Sequence, residues 1–94
     1  MYQTKTPDWG RQALNSCRNA IENLTRLLSG EGEWSVGLTK VISSDAGRKI
    51  VKVAHVFLSA KGTHGPDEPD LSTVEMGMSL TFVALRQILK QEKT

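Results

Sequence analysis

Apolar residues recur at three- and four-residue intervals along most of this chain, and polar, turn-forming clusters interrupt them. Leu14, Cys17, Ile21, Leu24 and Leu28 keep that spacing, with Ala13, Ala20 and Leu27 widening the stripe. One buried face over about four helical turns follows. The helix is expected over 7–29. Thr6-Pro7-Asp8 would open it with a capping hydroxyl, a proline at the first helical position and a carboxylate at the positive end of the dipole. Ser29-Gly30-Glu31-Gly32 would close it, since glycine adopts the left-handed C-terminal conformation at no steric cost. Arg18, Glu22 and Arg26, spaced four apart, predict two charge pairs on a solvated face.

The middle of the chain carries two periodicities. Trp34, Val36, Leu38 and Ile42 alternate with polar positions, and Ser43-Ser44-Asp45-Ala46-Gly47 could turn a hairpin into the valine-rich stretch from Lys49 to Leu58. Yet Trp34, Leu38, Val41 and Ile42 also keep helical spacing, as do Ile50, Val53, Ala54, Phe57 and Leu58. Helices near 33–43 and 46–60 are favoured over the hairpin, and His55, Lys49 and Lys52 then fall away from the apolar stripe. The two prolines and three acids of Gly65-Pro66-Asp67-Glu68-Pro69-Asp70 make a loop. Leu71-Ser72-Thr73-Val74-Glu75-Met76 then reads as a helix start, with Ser72 as N-cap, Glu75 closing a capping box and Leu71 stapled onto Met76. This last helix is expected over 72–91, with Leu71, Val74, Met78, Phe82, Leu85 and Leu89 as its main stripe. Met76, Leu80 and Val83 add apolar positions on its flanks. A helix apolar over more than one face is central in a bundle or packs on a partner chain.

The expectation is therefore an all-α fold, a small four-helix bundle, with an α+β fold built on a central hairpin as the alternative. At 94 residues, 1–94 is one domain with one core, led by a polar tail at 1–5. Apolar residues at 38% and charged residues at 23% make the chain globular and not disordered. A net charge of +2 is too small for a nucleic-acid footprint by itself, so any RNA binding must be local. Cys17 is the single cysteine, which excludes an internal disulfide and a four-cysteine zinc site, and suits a reducing compartment. Met1-Tyr2-Gln3-Thr4-Lys5 leads into Pro7 and Asp8 and not into an apolar run, so no secretory leader and no membrane span are expected. A cytoplasmic location follows.

His64 is the first candidate for chemistry, because an imidazole on a polar, glycine-framed turn can act as general acid or base or hold a phosphate. The same ring would equally cap the preceding helix or bond a loop carbonyl. Ser59, Lys61 and Thr63 surround it and offer hydroxyls and a cation to RNA or another anion, although Lys61 also reads as a helix-end charge favoured by the dipole. The spacing of His55 and His64 fits no zinc pair on one helix face, and no metal site or cofactor is expected. Neither a Walker-type loop nor a nucleophile elbow is present, and Asn15 and Ser16 have no triad partners in view. Trp9 and Trp34 read as packing residues.

Phe57-Leu58-Ser59-Ala60-Lys61-Gly62-Thr63-His64-Gly65, followed by an acidic loop and a long apolar helix, resembles the C-terminal end of HEPN-type helical domains. The nearest flavour is the C-terminal domain of abortive-infection proteins of phage defence. Cys17-Arg18-Asn19-Ala20-Ile21-Glu22-Asn23-Leu24 resembles the first long helix of that group, so the likeness spans about residues 11–90. It implies a helical bundle, often dimeric, whose active members cleave RNA without a metal. In those members an arginine shortly before the histidine helps orient and activate the ribose hydroxyl and the phosphate. Here the places for that arginine hold Phe57, Leu58 and Ser59.

A HEPN-like recognition or dimerisation module of a defence or regulatory system, without catalysis, is thus the leading functional expectation. Met76, Leu80 and Val83 would form the homodimer interface, with RNA or a protein as the further partner. A metal-independent ribonuclease using His64 is the alternative from enzymology. A small α+β adaptor without an active site is the third.

Overall fold

The computed structural model of the chain describes residues 9–62 and 69–91. They form α1 (Trp9–Ser29), α2 (Trp34–Val41), α3 (Asp45–Gly62) and α4 (Leu71–Gln91), with no strand among the described residues. The fold is an all-α four-helix bundle, and the α+β alternative is overturned. The reason is local. Ser44, legible as a hairpin-turn residue, caps α3 instead: its hydroxyl accepts the Gly47 N–H at 3.1 Å and its carbonyl accepts the Arg48 N–H at 3.0 Å. The Arg48 guanidinium donates to the carbonyls of Ile42 and Ser43 at 2.8 and 3.0 Å, satisfying oxygens that the end of α2 leaves free. Once so started, the valine-rich run buries Val51, Ala54 and Leu58, which is helical spacing.

The other termini follow equally specific chemistry. Gly30 ends α1 with φ at +77°, and its N–H donates to the Arg26 carbonyl at 2.8 Å. A side chain there would be strained. At the start of α4 the expected cap is corrected: Asp70, and not Ser72, accepts the Thr73 N–H at 2.8 Å, while the Asp70 carbonyl takes the Val74 N–H at 3.0 Å. Asp caps as well as Ser, and capping at Asp70 puts Val74 into the core while Leu71 stays exposed. A staple from Leu71 is not what anchors this helix. The expected opening of α1 at Thr6 lies outside the described residues.

α3 runs antiparallel to both long neighbours. Glu22 meets His55 while Leu14 and Leu58 converge on Gly77, and Gly47 faces Gln87 near the other end of α4. The core is Leu14, Ile21, Leu38, Ile42, Val51, Ala54, Leu58, Ala84 and Ile88. Close approach is secured by small residues. A Cβ on Gly77 would collide with Leu14 Cδ2 and come within 3.1 Å of Leu58, and one on Gly37 would strike Ser29 of α1. Buried Thr25 and Thr81 donate to the carbonyls of Ile21 and Gly77 four residues back, so neither hydroxyl is orphaned.

The buried stripe of α4 differs from the expected one. It runs through Val74, Gly77, Thr81, Ala84 and Ile88, while Leu71, Met78, Phe82 and Leu89 stand exposed and Leu85 is half-buried. On α3, Ile50 and Val53 are exposed as well. On α1, Leu27 and Ala20, expected to widen the buried stripe, face outward. On α4, where helix spacing alone marks several apolar faces, the buried one is the face that carries Gly77, Thr81 and Ala84.

Candidate functional site

The expected anion site is described only in part. Thr63 and His64 lie outside the described residues. Ser59 is half-buried and Lys61 exposed in the last turns of α3, and residues two apart on a helix project to nearly opposite sides. The fold does not bring these two together. Lys61 instead contributes to the field around Asp70, whose carboxyl is held below its ordinary value chiefly by the hydrogen bonds from Thr73, the Lys61 ammonium being a smaller cause.

A constellation that spacing did not reveal sits between α1, α2 and α3. His55 Nε2 lies 2.6 Å from Glu22 Oε2, and the imidazole stacks on the Trp34 indole with centroids 4.1 Å apart and planes at 26°. The His55 and Glu22 side chains are only 18% and 17% exposed. Glu22 also pairs with Arg26 at 3.5 Å and Arg18 at 3.9 Å, so the charge pairs expected along α1 exist. Their shared Glu22 is only 17% exposed, however, while Arg26 keeps 41% of its side chain in solvent. Arg26 is fixed further by donating to Asn23 Oδ1 at 3.3 Å and to the Gly32 carbonyl at 3.0 Å. The only sequence clue was that Arg18, Glu22 and Arg26 share an edge. Its meeting with His55, 33 residues away, depends on how α3 docks.

Chemically this cluster is a clamp. One carboxylate hydrogen-bonds the Arg26 guanidinium and the imidazole and lies within ion-pair range of Arg18, and the indole covers a face of that imidazole, tying three helices at one point. With Nε2 committed to Glu22, the ring's other nitrogen, Nδ1, is the one left for any further partner. Among the described residues no three His, Cys, Asp or Glu side chains cluster in a way that could hold a metal ion. Cys17 is a free, half-buried thiol packed against the core.

The expected interface residues divide. Leu80 is half-buried against the core, whereas Met76 and Val83 are exposed. Leu80 shares an edge of α4 with Gln87, seven residues on, and Gln87 faces Gly47, so this edge borders α3. The opposite edge carries Leu71, Met78, Phe82 and Leu89, at 57, 55, 62 and 48% exposure. Among the described residues no helix is long and apolar enough to cross a membrane. No protein-family model matches the chain, and no curated protein and no solved structure is detectably similar to it.

Proposed function

We propose that the chain is a HEPN-like recognition module that works by self-association and does not cleave RNA, serving a defence or regulatory system in the cytoplasm. The single observation that carries this reading is the surface of α4: six large apolar side chains, Leu71, Met76, Met78, Phe82, Val83 and Leu89, stand exposed on one 21-residue helix. Exposed apolar surface on that scale marks a contact face more often than a bare exterior. RNA cleavage is disfavoured by charge. A phosphodiester in its transition state gathers negative charge, which a guanidinium fork stabilises with paired hydrogen bonds, and Phe57, Leu58 and Ser59 offer none. Lys61 supplies a point charge without that geometry.

The test is an incubation with single-stranded and hairpin RNA in the presence of a chelator, run beside sedimentation across a wide concentration range. Intact RNA and a concentration-dependent dimer are expected. Metal-free cutting that disappears in a folded His64→Ala variant would establish the ribonuclease alternative in place of this reading.

A further inference from the structure

Resting on the self-association reading, we infer that the second copy docks antiparallel along the Leu71, Met78, Phe82 and Leu89 edge of α4. The intervals between these residues are seven, four and seven, a spacing that reads the same in both directions. From Leu71 to Leu89 is 18 positions, or about five turns, so the edge runs nearly straight along the helix axis. An antiparallel two-fold passing beside position 80 sets Leu71 against Leu89 of the partner subunit and Met78 against Phe82 of the partner subunit. Both halves of the contact are then the same surface, as a two-fold interface requires.

Charge selects this direction. Glu75 lies between Leu71 and Met78, Arg86 lies between Phe82 and Leu89, and both are exposed on the same flank of the edge. In an antiparallel pair the same flank of both helices meets, which brings Glu75 opposite Arg86 of the partner subunit, twice by symmetry. A parallel pair turns opposite flanks together and leaves each charge beside an apolar neighbour. Arg86 already rests with its guanidinium carbon 5.8 Å from the Phe82 ring centroid, so it stands beside the apolar edge it would border. A contact of one helix pair falls at the small end of stable interfaces, on the order of 1,000 Å² in total, so association in the micromolar range is expected.

Disulfide trapping tests direction and face together. In a Cys17→Ala background, mixing Leu71→Cys chains with Leu89→Cys chains should give a cross-linked heterodimer, whereas Leu71→Cys alone should cross-link far more slowly. Met78→Glu with Phe82→Glu should weaken dimerisation at least roughly tenfold with helical circular dichroism unchanged, and Val83→Glu should leave it intact. Glu75→Arg and Arg86→Glu should each weaken it and together restore it. Fast self-linking of Leu71→Cys, or a dimer lost in Val83→Glu and kept in Met78→Glu with Phe82→Glu, would overturn this surface while leaving self-association standing. A monomer at every concentration would overturn both.

Discussion

At the scale of single residues, His55 and Gly77 hold the bundle by opposite means. His55 adds contacts: an indole on its face and a carboxylate on its edge. Trp34→Ala and His55→Ala are each expected to cost about 1–3 kcal/mol, the first through the lost stack and the second through the stack and the hydrogen bond to Glu22. The double variant should cost less than the sum, because either change already breaks the shared contact. Simple additivity in urea unfolding would mean the stack couples nothing. Gly77 works by absence. Gly77→Ala gains about 1 kcal/mol of helix propensity, but the new methyl meets Leu14 and Leu58, and overpacking typically costs about 1–3 kcal/mol. A net loss is expected, shrinking when Leu14→Ala makes room, and a net gain in Gly77→Ala would show that α4 slides freely.

At the scale of the element, the termini decide where each helix begins and ends. Asp70→Ala should lower the melting temperature and Asp70→Asn largely keep it, while Ser72→Ala should have little effect because Ser72 is exposed within the first turn. Asp70 also makes this start sensitive to acid. Its carboxyl is held below 3.8 by the hydrogen bonds from Thr73, so the folded state binds its proton less readily than the unfolded state. The stabilisation is complete above the ordinary carboxylate range and is lost as pH falls through the lowered folded value. The wild-type and Asp70→Asn melting temperatures should therefore converge or cross below about pH 4, and parallel curves down to pH 2 would count against the cap. Gly30→Ala belongs to the same scale: with φ at +77°, it should cost about 1 kcal/mol although nothing lies within 4 Å of the added methyl.

At the scale of the whole molecule, the four helices of the described residues leave α4 covered among them on one face only. Val74, Gly77, Thr81, Ala84 and Ile88 are buried, and apolar residues remain on both edges beside them. Docking of a second copy on that surface would link stability to concentration, since whatever binds the folded state alone stabilises it by mass action. The melting temperature should rise between low and high micromolar protein. The rise should vanish in the Met78→Glu and Phe82→Glu double variant, and a concentration-independent transition in the parent chain would argue for a monomer.

The sequence by itself determined that the first and last long elements are helices and where they break, while over 33–58 it left a hairpin open. Those properties follow from local energies: three- and four-residue spacing, the glycine after Ser29, and short polar residues at helix starts. Even the competing cap at Ser72 misplaces the start of α4 by no more than two residues, because aspartate and serine are both favoured N-cap residues and stand two positions apart. Which apolar face is buried was decided only by the tertiary structure. Leu71, Met78, Phe82 and Leu89 keep helical spacing as well as Val74, Thr81 and Ile88 do, and spacing cannot rank them. Close packing ranks them, because Gly77 lets α4 approach Leu14 and Leu58 as a larger residue would not, and the buried face follows from that contact. The His55–Glu22–Trp34 clamp was beyond local reading for the same reason: its members lie on three helices, and only the docking of those helices brings a carboxylate, an imidazole and an indole to one point.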